Sequence, residues 1–129
     1  MRYLSIHEHM RHIRHAEEDM QIACVTWFTY THQKLAPLLH HSPNGGRRDS
    51  REAARFKAMG VRPGFPDLFL YVARHGYHGL AIELKYGRNK QTPQQVEMQA
   101  LLESQGFKYL VCYSYDEFTE AVNEYLIEG

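Results

Sequence analysis

The pattern of apolar and polar positions along the chain predicts strands in its second half and a helix at its end. Residues 67–72 form an apolar run rich in aromatic side chains, which is typical of a buried strand. Residues 80–85 alternate with the period of two of a pleated strand, and residues 108–113 form a further strand. Apolar residues then recur at the helical spacing i, i+3, i+4, i+7 and i+8: Phe118, Ala121, Val122, Tyr125 and Leu126.

Capping signals mark where the helices begin and end. A first helix is predicted over about residues 16–33, after a polar segment at residues 1–15. In a capping box, a side chain accepts a hydrogen bond from the backbone N–H three residues later. Three pairs have this spacing: Asp49 with Glu52, Thr92 with Gln95, and Ser114 with Glu117. Two glycines suit the position after a helix end: Gly60 and Gly106.

The order of these elements predicts the fold class. A short apolar segment at residues 38–41 precedes a strong turn signal at residues 43–46, and it completes the series α-β-α-β-β-α-β-α. Strands and helices in this order predict a small mixed β-sheet flanked by helices. The expected fold class is therefore α/β.

Length and composition limit the classes of function. At 129 residues, with 43% hydrophobic and 23% charged residues, the chain suits one globular domain, which we place at residues 16–129. No apolar run approaches the roughly 20 residues of a membrane span, and the N-terminus lacks the apolar stretch of a secretory signal. Cys24 and Cys112 form no CxxC motif. We therefore expect a cytoplasmic protein with no membrane partner.

The formal net charge of zero conceals an uneven distribution. Residues 47–62 carry six basic and two acidic side chains, and residues 63–96 carry four basic and two acidic ones. Residues 97–129 carry seven acidic side chains and a single lysine. This asymmetry indicates a polyanion partner on one side of the molecule, although solvated helix faces that happen to cluster would give the same count.

One strand carries charged side chains where a buried strand would carry apolar ones. Within residues 81–85, alternation puts Ile82 and Leu84 on one face and Glu83 and Lys85 on the other. A central strand of an α/β protein is covered on both faces. The two charges would therefore be costly unless they pair with each other, with a metal or with a substrate.

A second carboxylate is expected beside Glu83. Asp67 follows Pro66 at the start of the preceding strand, and pairing of the two strands would bring Asp67 next to Glu83. Two adjacent carboxylates repel each other, and a divalent cation such as Mg²⁺, which binds oxygen ligands, relieves the repulsion. Taken singly, the Pro-Asp pair is more often a strand start, and Glu-x-Lys is more often an exposed ion pair.

The sequence around these residues resembles a known nuclease family. Three stretches carry the resemblance: PNGGRR at residues 43–48, KAMGVRPGFPD at residues 57–67 and GLAIELK at residues 79–85. Further matches follow at Gln95, Gly106, Val111 and Cys112. Over about residues 16–127 the chain resembles the VRR-NUC branch of the PD-(D/E)xK nucleases, in the small stand-alone form of phages and bacteria. The second arginine of the family's namesake motif is Pro63 here, after Arg62, which leaves a second phosphate contact in doubt.

The resemblance implies a restriction-endonuclease-like fold and an enzyme of nucleic-acid hydrolysis. The implied activity is that of a Mg²⁺- or Mn²⁺-dependent endonuclease that cuts DNA, with branched or junction DNA as a candidate substrate and no small-molecule cofactor. By analogy, Asp67 and Glu83 bind the metal together with the backbone carbonyl of Leu84. Lys85 would orient or deprotonate the attacking water. The implied location is the cytoplasm of a bacterial or phage-infected cell.

The resemblance also implies an acidic residue from the first helix. Glu18 is the better candidate, because Glu18 and Gln21 match the family's Glu-x-x-Gln, and Glu17 is the alternative. Gln95 corresponds to the family's motif glutamine and could contact the scissile phosphate or the attacking water. A glutamine three residues after Thr92 also suits a helix cap, and the two roles are compatible.

Basic and aromatic side chains near the strand ends are candidate nucleic-acid contacts. They are Arg47, Arg48, Arg62, Tyr86, Arg88 and Lys90. A solvated loop accounts equally well for the first two. DNA is the expected partner, and a homodimer would supply the second site that cutting two strands requires. Two other functions stay open at this stage: a non-catalytic DNA-binding module with the same fold, and an RNA-directed nuclease with the same site.

Overall fold

Helices and strands follow one another in the predicted order within residues 5–43 and 49–127, which the computed structural model of the chain describes. The elements are α1 (Ile6–Thr31), β1 (Leu39–His41), α2 (Ser50–Ala58), β2 (Leu68–Leu70), β3 (Leu80–Leu84), α3 (Pro93–Ser104), β4 (Lys108–Cys112) and α4 (Tyr115–Leu126). A 3₁₀ turn, Ala36–Leu38, precedes β1. The predicted fold class, a mixed sheet flanked by helices, is confirmed. Most of the turn predicted at residues 43–46 lies outside the described ranges.

The first helix begins ten residues earlier than the sequence analysis placed it. The Ser5 side chain accepts a hydrogen bond from the Glu8 N–H (3.1 Å), and the Glu8 carboxylate accepts one from the Ser5 N–H (3.0 Å). This is a complete capping box, so residues 6–15 are helical, and the helix start predicted at about residue 16 is corrected. α1 is long but polar, and no helix within the described residues combines the length and apolar character that crossing a membrane requires.

The four strands form one sheet in the order β1-β2-β3-β4. β1 and β2 pair antiparallel, as do β2 and β3, with Leu68 opposite Ile82. β3 and β4 pair parallel, with Ala81 opposite Tyr109, and α3 is the crossover between them. β3 therefore has a neighbour on each side and occupies the interior of the sheet.

One face of the sheet packs against α1 and α4 to form the hydrophobic core. Its buried residues are Cys24, Phe28, Leu68, Leu70, Val72, Leu80, Ile82, Leu84, Cys112, Phe118, Val122 and Tyr125. The Tyr125 hydroxyl donates to the backbone carbonyl of Val72 (2.6 Å), which ties α4 to the residues after β2. Both cysteines are free thiols, and burial raises the pKa of Cys24 to about 12, so it packs as a core residue rather than reacting as a thiolate.

The opposite face of β3 is also covered, and this is where the fold places its charges. All five residues of β3 are buried, and the side chain of Glu83 is completely inaccessible to solvent. Lys85, just after the strand, is only 5% exposed. The side chains of α3 reach this face, through a hydrogen bond from Lys85 to Gln95. The expectation that Glu83 and Lys85 are buried charges is confirmed.

Candidate functional site

The pairing of β2 with β3 brings Asp67 and Glu83 together. Asp67 lies one residue before β2, and its Oδ2 atom accepts a hydrogen bond from the backbone N–H of Leu84 (2.7 Å). This bond spans the hairpin and fixes the Asp67 carboxylate beside the end of β3. On β1, His41 donates from Nδ1 to the backbone carbonyl of Asp67 (2.7 Å), so Asp67 is held from both neighbouring strands.

The Asp67 carboxyl lies in an environment that disfavours its negative charge. Burial raises its pKa most, and the nearby carboxylates of Glu83 and Glu17 raise it further. The Leu84 N–H and the Lys85 ammonium group act in the opposite direction, but they do not cancel the increase. Three carboxylates thus share the neighbourhood of one lysine, which is the electrostatic condition that a bound cation relieves.

The two oxygens of Glu83 have different surroundings. Oε1 accepts a hydrogen bond from the Tyr109 hydroxyl (2.5 Å) and a long one from the Gln91 side-chain amide (3.5 Å). Oε2 is buried and has no hydrogen-bond partner among the residues that the structure describes, and the Lys85 ammonium nitrogen lies 4.0 Å from it. An unsatisfied buried carboxylate oxygen is costly, which makes this atom a candidate for contact with a ligand.

Gln95 has the capping role and also contacts Lys85, whereas its contact with the scissile phosphate or the attacking water stays a prediction. As part of the α3 capping box, its side chain accepts from the Thr92 N–H (2.8 Å), while the Thr92 hydroxyl accepts from the Gln95 N–H (3.2 Å). The same Oε1 atom of Gln95 accepts a hydrogen bond from the Lys85 ammonium group (2.8 Å). The start of α3 therefore also positions the lysine.

The first-helix acid at the site is Glu17, and the preference for Glu18 is corrected. Glu17 is half-buried, and its carboxylate accepts from the Tyr86 N–H and the Asn89 side-chain amide, both at 3.1 Å. Glu18 points elsewhere: its side chain is 59% exposed and lies 3.9 Å from His15. Adjacent helical residues project about 100° apart, so only one of the two can face the sheet.

The loop before Asp67 is held against the start of α3 by a close backbone contact. Gly64 has φ of +89°, and a Cβ atom added there would lie 2.7 Å from the carbonyl oxygen of Gln94. Only glycine fits this position without displacement of one segment. The contact sets the loop that carries Asp67 next to the helix that carries Gln95.

The candidate nucleic-acid contacts that the structure describes lie close to these residues. Arg62 is exposed and lines a groove of about 300 Å³ together with Phe65, two residues before Asp67. Tyr86, Arg88 and Lys90 are exposed on the segment that follows Lys85. Arg47 and Arg48 lie outside the described residues.

That exposed segment is anchored rather than free. Glu17 binds Tyr86 and Asn89 within it, and the ring of His12 contacts the ring of Tyr86 edge-on, with centroids 6.1 Å apart. Gln91 at its end donates to Gln99 of α3 (2.8 Å). Arg88 and Lys90 are therefore presented from a fixed backbone beside the site.

Tyr109 and Gln91 contact Glu83 but were absent from the sequence analysis. In residues 108–112, alternation places Tyr109 on the opposite face from Leu110, and parallel pairing with β3 puts it on the face of Glu83. In the sequence, the sign of this contact is a tyrosine among apolar strand residues. That sign predicts a contact with Glu83 only if β4 is known to pair with β3, and neither strand's sequence specifies this pairing.

Asp67 and Glu83 are the two acidic side chains of the strand pair that could hold a metal ion. Within the described residues, no group of three or more His, Cys, Asp or Glu side chains is arranged to hold a metal ion. Oε2 of Glu83 has no hydrogen-bond partner among the described residues, and the Asp67 carboxylate accepts from the Leu84 N–H through its other oxygen, Oδ2. Two carboxylates with waters and substrate oxygens are the usual protein contribution to a Mg²⁺ site, so the residues fit this cation.

Comparisons with known proteins agree with this geometry. The family model of the VRR-NUC domain matches residues 2–116. A solved structure described as a VRR_NUC domain protein is similar to this chain with a TM-score of 0.77 and 35% sequence identity, over 88% of this chain and 89% of that one. A comparison with curated proteins gave no match.

The contact at Gly64 predicts that a substitution there lowers the free energy of unfolding by more than left-handed backbone strain alone would. Gly64→Ala adds a Cβ atom 2.7 Å from a backbone oxygen, whereas Gly76→Ala, at a similar φ of +83°, adds one with nothing within 4 Å. Gly76→Ala should cost about 1–2 kcal/mol of unfolding free energy from left-handed strain. Gly64→Ala should cost about 1–3 kcal/mol more, because a packed segment must move. Urea denaturation of both variants measures the difference, and equal losses would contradict the close contact.

The raised pKa of Asp67 predicts a pH-dependent effect of Asp67→Asn in the presence of a chelator. The folded chain holds this proton more tightly than the unfolded chain, so ionisation of Asp67 destabilises the fold. The loss is absent below the ordinary pKa of 3.8, grows as pH rises through the raised pKa, and is complete at higher pH. The free energy of unfolding of Asp67→Asn relative to wild type should therefore increase from pH 3.5 to pH 7. Parallel pH curves for the two proteins in denaturation experiments would refute the crowding of carboxylates.

Proposed function

The chain belongs to the VRR-NUC family of nuclease domains, and we propose that it is a metal-dependent endonuclease that hydrolyses phosphodiester bonds of DNA. The observation that carries the proposal is the buried Oε2 atom of Glu83, which has no hydrogen-bond partner in the described part of the chain. Lys85 lies 4.0 Å from it, and Asp67 accepts from the backbone N–H of the next residue, Leu84. A structural ion pair alone would satisfy this oxygen with a direct hydrogen bond. A site that binds a cation leaves it open.

Asp67, Glu83 and the Leu84 carbonyl would hold Mg²⁺ or Mn²⁺. When bound, such an ion stabilises negative charge on the phosphate and lowers the pKa of a coordinated water. The two carboxylates would attract the cation, and because the Leu84 N–H donates to Oδ2 of Asp67, the other oxygen of Asp67 would be the one to bind it. The residues that complete this arrangement are Lys85, Gln95 and Glu17.

Lys85 is the side chain placed to act on the substrate. One of its N–H groups donates to Gln95, which itself is fixed by the Thr92 N–H. The remaining N–H groups can donate to the attacking water or to a non-bridging phosphate oxygen, where they stabilise the charge that develops during attack. Because Lys85 is only 5% exposed, these interactions act with little screening by water.

The charge distribution supports a polyanionic substrate. Arg62, Arg88 and Lys90 are exposed near the site, and they offer phosphate contacts that do not depend on base sequence. Tyr86 is 40% exposed beside them and presents a ring on which an unpaired base could stack. Branched DNA, which combines duplex phosphates with unpaired bases, is the substrate class that suits both features.

The proposed activity is tested with a panel of labelled substrates. We expect cleavage of plasmid, flap, splayed or four-way-junction DNA with Mg²⁺ or Mn²⁺ and none with a chelator. Asp67→Asn, Glu83→Gln and Lys85→Met should each reduce the rate by roughly 10²–10³-fold, because each removes a charge that stabilises the transition state. Lys108→Met, the same change at the far end of the sheet, should cut at the wild-type rate.

The same panel distinguishes the other functions. Cleavage of matched RNA but not DNA would assign an RNA-directed nuclease. DNA binding without cleavage in either metal would assign a non-catalytic binding module. Wild-type rates in Asp67→Asn and Lys85→Met would show that any cleavage comes from a contaminant or from another site.

The position of Glu17 predicts different effects for two adjacent residues. Glu17→Gln removes a negative charge near Asp67 and weakens the hydrogen bond that anchors the segment carrying Arg88. It should therefore lower the cleavage rate by about tenfold. Glu18→Gln makes the same chemical change on the exposed side of α1 and should leave the rate within about twofold. Measurement of single-turnover rates for both variants tests the assignment, and a larger effect from Glu18→Gln would reverse it.

A further inference from the structure

Glu83 is held by donors from two other parts of the chain. The Tyr109 hydroxyl comes from β4 and donates to Oε1 at 2.5 Å, in a fully buried contact. The Gln91 amide comes from the segment before α3 and approaches the same oxygen at 3.5 Å. Both donors are on the Oε1 side of the carboxylate, and within residues 5–43 and 49–127 Oε2 receives none. The carboxylate is thus fixed in one orientation.

The hydrogen bond from Tyr109 to Glu83 is short and lies in the interior. The phenol O–H is the donor and Oε1 is the acceptor, at 2.5 Å. A protonated phenol beside a carboxylate donates to it, and a hydrogen bond to a charged acceptor is stronger than one between neutral groups. The Oε1 atom is therefore engaged by a short, strong hydrogen bond before any ligand arrives.

The second donor is itself restrained. Gln91 donates to Gln99 of α3 at 2.8 Å, in addition to its long contact with Glu83. The Tyr109 side is anchored by the parallel pairing of β4 with β3, in which Tyr109 lies opposite Ala81. Each donor is thus tied to a neighbouring element, Gln91 to α3 and Tyr109 to the sheet.

We propose that Tyr109, assisted by Gln91, is a positioning residue that occupies Oε1 of Glu83 so that Oε2 alone remains for the divalent cation. This inference rests on the proposed function, because it concerns how the same site binds its metal. Its consequence is selectivity. Ca²⁺ accepts both oxygens of one carboxylate, whereas Mg²⁺ requires near-octahedral geometry and a smaller, more rigid set of oxygens. A Glu83 with one free oxygen favours Mg²⁺.

The test compares the binding of two cations to Tyr109→Phe. Calorimetric titration of the full chain with Mg²⁺ and with Ca²⁺ measures each dissociation constant without substrate. We expect Tyr109→Phe to weaken Mg²⁺ binding by about tenfold or more, the usual effect of removing a hydrogen-bond partner of a metal ligand. Ca²⁺ binding should weaken less, since the freed Oε1 atom can join it. Gln91→Leu, which removes the more distant donor, should change the Mg²⁺ constant in the same direction by a few-fold.

Tyr125→Phe is the matched control. It also removes a buried tyrosine hydroxyl with a short hydrogen bond, here to the Val72 carbonyl in the core, and it should lose a similar amount of stability. Its dissociation constants for both cations should equal those of wild type. This variant separates a loss of packing from a loss of positioning.

The outcomes are distinct. A selective loss of Mg²⁺ binding in Tyr109→Phe supports the inference. Unchanged binding in Tyr109→Phe and Gln91→Leu overturns it, as does an equal loss for both cations, which would indicate a structural role. If Tyr109→Phe does not fold, unchanged binding in Gln91→Leu alone overturns it. A wild-type chain that binds neither cation overturns the metal site itself, and the proposed function with it.

Discussion

The site depends on a single acidic side chain placed inside the sheet. Glu83 is fully buried in β3, a strand with neighbours on both sides, and water cannot reach its carboxylate. Such a charge is stable only if the chain supplies its partners, because the loss of hydration amounts to several kcal/mol. The surrounding elements are arranged to satisfy one of its oxygens and to bring Lys85 near the other. The positions of the other site residues follow from this constraint.

The site residues are held by backbone groups and helix caps that a small fold needs in any case. The Leu84 N–H, at the end of β3, holds Asp67. The Gln95 side chain caps α3 and at the same time receives the Lys85 ammonium group. In a chain of 129 residues there is little room for a separate supporting layer around a site. Shared use of the same atoms for folding and for positioning gives rigidity without additional residues.

Local signals in the sequence were sufficient for the elements and for the central pair of acids. The capping pairs located three helix starts, and alternation in β3 placed Glu83 and Lys85 on one buried face. The start of α1 was missed although Ser5 and Glu8 carry the same signal, because the polar character of residues 6–15 hid a helix that extends beyond the core.

The remaining site residues depend on relations that no local pattern contains. Glu17 and Glu18 are neighbours on α1 and project in different directions. The docking of that helix on the sheet decides which of them faces the site. The contact of Tyr109 with Glu83 follows from the register of β4 against β3. Both are tertiary facts, and a single sequence specifies them only through the whole packed structure.

The contacts of Glu17 also have a consequence for the order in which the chain folds. Asp67 and the end of β3 meet across 17 residues, whereas Glu17 meets Tyr86 and Asn89 across 69 and 72 residues. Contacts with such a large sequence separation require closure of a long loop, which makes them slow to form. The third carboxylate should therefore join the other two late, when α1 docks on the sheet. A bound cation would then act mainly after the folding barrier, and it would slow the unfolding of the chain more than it would speed its folding.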